Sequence, residues 1–221
     1  MATPFSALHD FTMPYLRGVS MAVLDHEIRR VVRQFLRKST ILRETLPFTC
    51  STSSNILTLT PTTNTPPLEV AGVLQVAVNT QFANGGTQYD EIRQAPEDTV
   101  QRMALLANPA APRGFRYYPQ STLLLYPQPD QAYPVQVLVY EMITLDLTNT
   151  NMPDVCNDYL DVISRGVIAE CMLQPNKPYT DLQSAVLYQR LYGDGVLALR
   201  ETLRQGGSAG WATVRGPRFG V

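Results

Sequence analysis

The chain has 221 residues and a formal net charge of −1. That is enough length for a core-bearing domain with a large insertion, and the balance excludes a global attraction to nucleic acid or anionic membrane. Charged residues are 17%, against roughly 25% in an ordinary soluble domain, while Pro stands at 17 residues and Tyr at 11. This composition fits either outer faces covered by partners or a plain β-rich domain. The cysteines Cys50, Cys156 and Cys171 are odd in number, lie in apolar runs and have no metal-ligand or redox spacing. They read as small hydrophobes in a reducing compartment, without a disulfide framework.

Residues 1–16 show no basic start followed by an apolar stretch, so no signal peptide is expected. No apolar run approaches the length that crosses a bilayer, and the expectation is a soluble protein made in a cytoplasm. From Met21 to Ser39, Val23, Leu24, Ile28, Val31, Val32, Phe35 and Leu36 recur at helical spacing. Ser20 is placed to cap that helix, with Asp25 and Glu27 early and Arg37-Lys38 late, as the macrodipole favours. Arg29, Arg33 and Arg37 stand at i, i+4 and i+8 on its polar face, beside Arg30.

After Leu46-Pro47 the pattern turns to β. Phe48–Ser51 and Ile56–Thr60 read as short strands, Pro61–Pro67 as a loop and Leu68–Val78 as a longer strand containing Gly72. Asn84-Gly85-Gly86 signals a turn, and Pro96–Ala107, with Pro at its first turn and Glu97-Asp98 behind it, predicts a short helix. Gly114–Pro119, Thr122–Tyr126 and Val135–Leu145 follow as strands, expected to be antiparallel neighbours because their connections are short. Pro153–Leu173 reads as a helix apolar on several sides, which predicts coverage on several sides. Thr180-Asp181-Leu182-Gln183 fits a capping box for a last helix that runs to about Arg204 and stops at Gly206-Gly207. The fold class is therefore α+β: a helical bundle from the N- and C-terminal helices, an inserted antiparallel β-rich lobe and an extended C-terminal tail. The expected domains are residues 1–45 with 150–206, the lobe 46–149, and the arm 207–221.

The chemistry-bearing residues make no catalytic or metal constellation. His9 and His26 are the only histidines; His26 has Asp25 and Glu27 beside it but no nucleophile or second ligand at useful spacing. Asp154, Asp158 and Asp161 read as favourable charge at a helix start, against a Mg²⁺ site as the alternative. Gly193-Asp194-Gly195 lies inside a helix pattern and lacks the lysine of a phosphate loop. Each glycine costs about 1 kcal/mol in a helix interior, so Gly193 and Gly195 point to close helix packing or a kink. Neither an enzyme nor a cofactor is expected.

Two other groups point to contacts. The Arg29, Arg33, Arg37 stripe tracks about 12 Å of helix. It serves either as a solvated or intersubunit face, or as a lumen wall that touches phosphates without reading bases. The tail Ser208–Val221 carries Trp211, Arg215, Arg218 and Phe219 without an acid, types enriched in binding hot spots, and reads as a docking arm rather than a loose terminus. A β-lobe binding module for host glycan or nucleic acid is the competing function from another class.

Several stretches in order resemble the head-to-tail adaptor proteins of tailed bacteriophages. Val31–Glu44 (VVRQFLRKSTILRE) is similar to the first adaptor helix and its exit. Gly114-Phe115-Arg116-Tyr117-Tyr118 with Leu123-Leu124-Leu125-Tyr126-Pro127-Gln128-Pro129-Asp130 resembles the strand pair that ends in Tyr-Pro-x-Pro. Met152-Pro153-Asp154, Tyr159, Gly166 and Pro175-Asn176-Lys177-Pro178-Tyr179 resemble the two-helix C-terminal portion. The resemblance spans about Met21 to Arg204. It implies a structural virion protein at the head–tail interface, assembled in the host cytoplasm as a ring of twelve copies beneath the portal. The implied partners are the portal protein, a downstream tail or nozzle protein, further copies of the chain, and genomic DNA passing through the lumen without sequence specificity. No membrane is implied.

Overall fold

The computed structural model describes residues 3–62, 66–96, 108–118, 121–146 and 148–206. The expected helix Pro96–Ala107 lies, except for Pro96, outside the described residues. The expected arm, with Trp211, Arg215, Arg218 and Phe219, lies wholly outside them. The fold is α+β. The chain divides into two compact units: one of Met1–Pro4 and Val32–Asn157, the other of Phe5–Val31 and Asp158–Val221. The division falls inside a helix, between Val31 and Val32.

In the first unit, β1 (Thr3–Pro4) pairs with β9 (Asn151–Met152). The other strands are β2 (Arg43–Thr49), β3 (Ile56–Thr58), β4 (Leu68–Val78), β5 (Asp90–Gln94), β6 (Gly114–Tyr118), β7 (Thr122–Tyr126) and β8 (Pro134–Ile143). They form one seven-stranded sheet in the order β2-β8-β4-β5-β6-β7-β3. Every neighbouring pair in this sheet is antiparallel except β5 with β6. The two end strands, β2 and β3, are consecutive in the chain. Their short link is held to the sheet, with Cys50 N donating to Tyr133 O at 3.0 Å and Leu125 N donating to Asn55 O at 2.8 Å. The sheet therefore curls on itself, and one apolar cluster takes residues from all seven strands, among them Leu46, Leu57, Val76, Ile92, Phe115, Leu123, Leu125 and Val137. Full burial of a Val or Leu side chain contributes roughly 1.5–3 kcal/mol, so this cluster dominates the unit's stability.

The apolar, β-branched run and the apolar run that stops at Pro127 predict β4 and β7 with the bounds observed. Alternation misses β5, whose sequence DEIRQ offers one buried apolar residue, Ile92, among exposed ones. It also starts β2 too late. Pro47 lies within that strand, which is tolerated because β2 is an edge strand paired only with β8. The expectation that β7 and β8 are neighbours is corrected: β8 lies between β2 and β4. β8 has 10 residues and β4 has 11, whereas β7 has 5. Pairing β8 with β7 would leave half of its backbone groups without partners.

Two strand glycines are filled from the strand alongside. Gly72 is opposite Tyr140, and a Cβ at Gly72 would come within 2.5 Å of that tyrosine ring. Gly114 stands opposite Tyr126, whose ring occupies the same space there. Gly72 also sits at a register shift in β4, where a bulge needs an adaptable backbone.

The second unit opens with a 3₁₀ turn, Phe5–Leu8, and the short α1 (His9–Thr12). Helix α2 (Met21–Ser39) then begins with the predicted residue, and Val23 N donates to Ser20 Oγ at 3.4 Å. The predicted helix Pro153–Leu173 is a 3₁₀ segment, Asp154–Tyr159, followed by α3 (Leu160–Met172). As its apolar breadth implies, α3 buries Ile163, Ser164, Gly166, Val167, Ile168, Ala169, Cys171 and Met172. The last helix, α4, runs Leu182–Gly206.

The capping box is corrected by one residue. Asp181 Oδ1 accepts from Gln183 N and Ser184 N, each at 3.1 Å, and Ser184 Oγ donates to Asp181 Oδ2 at 2.6 Å. These bonds hold the Asp181 carboxylate below its ordinary pKa. Thr180 Oγ1 instead donates to Gln174 O at 2.5 Å and accepts from Lys177 N at 3.0 Å, closing the connector. A carboxylate accepts two amide bonds at the positive helix end better than a hydroxyl does.

Candidate functional site

The helix α2 arginines have three different surroundings. The Arg29 guanidinium sits 5.6 Å from the centroid of the Phe5 ring. Arg33 is ion-paired to Glu69 of β4 and donates to Ile143 O at 3.4 Å. Arg37 is exposed in the last turn. Two of the three are thus engaged within the chain, which reduces what they can offer to a phosphate.

Arg30, beside the stripe, carries the denser chemistry. Its Nε donates to Glu27 Oε2 at 2.8 Å, and its Nη2 is bonded to Glu170 of α3. Glu27 is buried, and its Oε1 accepts from Gln174 Nε2 at 3.2 Å; Gln174 Oε1 in turn accepts from Tyr179 OH at 2.9 Å. Burial alone would lower the Arg30 pKa, but the two carboxylates outweigh it and raise it. The network joins α2, α3 and the connector Gln174–Asp181, so it fixes the start of α4. Glu27 lies four residues before Val31 and three after Leu24, in phase with the buried stripe. That phase was the readable signal for a buried acid.

Helix packing in this unit depends on two glycines. A Cβ at Gly195 of α4 would lie 2.8 Å from Val162 Cγ1, and one at Gly166 of α3 would lie 2.8 Å from Val31 Cγ1 and 3.0 Å from Tyr192 Cδ2. Gly193 differs from the close-packing expectation: a Cβ there meets nothing among the described residues within 4 Å. Two residues apart on a helix is more than half a turn, so the pair cannot share a face. Gly166 is the close-packing glycine that spacing did not reveal.

Nothing among the described residues makes a reactive centre. His9 Nε2 lies 2.7 Å from Asp25 Oδ1, while His26 is exposed. Asp161 pairs with Arg165 at 3.3 Å along one helix turn. No group of three or more His, Cys, Asp or Glu among the described residues could hold a metal ion. The cysteines are free and buried, and burial pushes the thiols of Cys156 and Cys171 up to about 12. Thiols so protonated are poor nucleophiles. Among the described residues no helix is long and apolar enough to cross a membrane.

One acid stands apart. Glu141 falls on the inward face of β8, in phase with Val135, Val137 and Val139, and is 3% exposed. Burial, followed by the hydrogen bond and the charge of Glu44, raises its carboxyl pKa to about 8. Continuing the alternation past Tyr140 would have found it.

No curated protein matches the chain. The family model described as SU10 adaptor protein matches residues 16–217, a span holding the strand pair, the connector and both C-terminal helices. The chain belongs to the SU10 adaptor protein family and is a bacteriophage adaptor-type virion protein.

Proposed function

We propose that this protein is the head-to-tail adaptor of its particle: a ring, twelvefold by resemblance, that docks beneath the portal, extends the DNA channel and carries the next tail component. The observation that supports this most is the family match across 16–217, which takes in almost the whole chain. In this reading residues 1–45 with 150–206 form the ring, 46–149 make a lobe facing the tail or the outside, and 207–221 clasp the portal through Trp211, Arg215, Arg218 and Phe219. Adhesion and geometry are the mechanism: one heterologous contact repeated around a closed ring, with no chemistry required. Arg37, exposed at the end of α2, is the member of the arginine stripe best placed for passing phosphates.

The test is to mix the full chain with purified portal rings and examine the product by negative stain and native mass spectrometry. The expected result is a second ring of density on intact portal. Portal rings that stay bare at micromolar adaptor would overturn the proposal. Deleting Ser208–Val221 should lower portal occupancy, whereas unchanged occupancy would remove the arm from it.

A further inference from the structure

Helix α4 buries one stripe and leaves two others apolar. Ala185, Tyr192, Val196 and Leu199 are buried. Roughly a third of a turn to one side stand Leu182, Val186, Gly193 and Leu197; a similar angle to the other side stand Leu187 and Leu191. Leu182, Val186 and Leu197 are 62%, 63% and 62% exposed, and Leu187 is 57% exposed. An ordinary surface helix carries polar residues over that whole arc. Here Arg190, Asp194 and Glu201 fill the narrow ridge between the two flanks, and Arg200 and Arg204 continue the line of the first flank beyond Leu197.

The flanks differ in charge and shape. The first is bordered at its C-terminal end by Arg200 and Arg204, with an open notch at Gly193 where none of the described residues lies within 4 Å of a Cβ position. The second is bordered by Asp194 and Glu201, and its Leu191, level with Gly193 to within two residues, is 37% exposed. Arg190–Asp194 at 4.0 Å and Arg204–Glu201 at 3.5 Å are exposed contacts along the ridge. Such pairs contribute little within one chain, so a neighbour can recruit either member.

We infer that α4 is a two-sided self-association surface: the Leu182/Val186/Gly193/Leu197 flank of one copy receives the Leu187/Leu191 flank of the next. This rests on the ring reading above. Copies around a closed ring are related by rotation about its axis, so equal residues stand at equal height, and with α4 set along that axis neighbouring helices run parallel. Leu191 then stands within about 3 Å of the level of Gly193, and its side chain enters the notch. Arg200 and Arg204 come level with Glu201 of the adjacent copy, so opposite charges flank the apolar contact. Unlike faces meeting in this way give a heterologous contact, the kind that closes into rings. Glycine at 193 keeps the notch open, despite the roughly 1 kcal/mol that alanine would add to the isolated helix.

The experiment uses the full chain carrying Leu191→Cys, Gly193→Cys, or both, treated with a short bis-maleimide, with and without portal rings. The double variant should give a ladder of covalent multimers. Each single variant should stay uncrosslinked alone, and a mixture of the two should give dimers. Gly193→Leu should fold at least as well as wild type by thermal melt, and self-associate roughly tenfold more weakly. Rings on portal without a ladder would overturn the pairing of faces but keep the adaptor. A ladder in concentrated solution with bare portals would keep the pairing and remove the portal role. Self-crosslinking of either single variant would mean a symmetric contact and overturn the inference. So would self-association that appears only after deletion of Ser208–Val221, because the tail would then be the occupant.

Discussion

The two units differ in how completely their strand and helix glycines are filled by neighbouring segments. In the sheet unit, Gly72 and Gly114 lie opposite Tyr140 and Tyr126, and each ring fills the missing side chain from the neighbouring strand. In the helical unit, Gly166 and Gly195 are filled by Val31, Tyr192 and Val162, but Gly193 is left open, with apolar neighbours exposed around it. A curled sheet whose end strands are consecutive satisfies its own apolar face. A long helix packed along one stripe cannot, and α4 leaves Leu182, Val186, Leu187 and Leu197 exposed. The sheet unit should therefore respond to mutation in stability, and the outer faces of α4 in association.

The strongest test of that contrast is Leu123→Ala, at a side chain with no exposure in the sheet core. It should cost about 4 kcal/mol through lost transfer energy and a residual cavity, measured by urea denaturation. Placed in the Leu191→Cys/Gly193→Cys background, any multimer that still forms at low temperature should give the same ladder as that background alone. Loss of less than about 1 kcal/mol would mean the core is not the closed cluster described.

Next comes the pH dependence from Glu141. Its folded pKa of about 8 is raised above the reference value of 4.5, so between those values the folded state holds a proton that the unfolded chain has released. Its contribution to stability is complete below about pH 4.5, declines as pH rises and is lost above about pH 8. The fall is measured by urea denaturation at pH values below 4.5, between the two values and above 8. Glu141→Gln, which cannot ionise, should flatten this part of the profile. A variant whose stability falls with pH as steeply as wild type would remove Glu141 as the cause.

Arg30→Ala should cost about 2 kcal/mol by leaving Glu27 and Glu170 without their cation, discounted because the guanidinium is partly exposed. Adding Glu27→Gln should recover part of that loss, a coupling read from a double-mutant cycle. Additive losses would mean that the network does not act as a unit. The smallest effects are also the sharpest comparison within one helix. Gly193→Ala should raise stability by about 1 kcal/mol through helix propensity, while Gly195→Ala should lower it by a similar amount through collision with Val162. The same sign at both positions would break the distinction between a filled and an open glycine.

How much was legible in advance depended on whether the signal was local. Helix α2 and its Ser20 start, β4, β7 and the coverage of α3 follow from apolar period and turn chemistry, which act over a few residues. The buried acids were half legible. Glu27 and Glu141 continue the phase of their stripes, but a rule that places charge outside passes over them. The shift of the cap from Thr180 to Asp181 turned on two adjacent side chains, both able to cap. Only the connector's hydrogen bonds, which engage Thr180 with Gln174 and Lys177, decided between them.

By itself the sequence determined the α+β class, most of the long elements and the resemblance to phage adaptors. Those rest on periodicity, residue chemistry and motif order along one chain. Tertiary structure alone decided that β8 lies between β2 and β4, that tyrosines fill Gly72 and Gly114, and that Arg30 rather than its stripe is locked to two glutamates. It also decided that Gly195 is packed and Gly193 open. Each of these depends on which distant segment comes alongside, and strand register and helix contact are set by burial and backbone pairing over the whole unit.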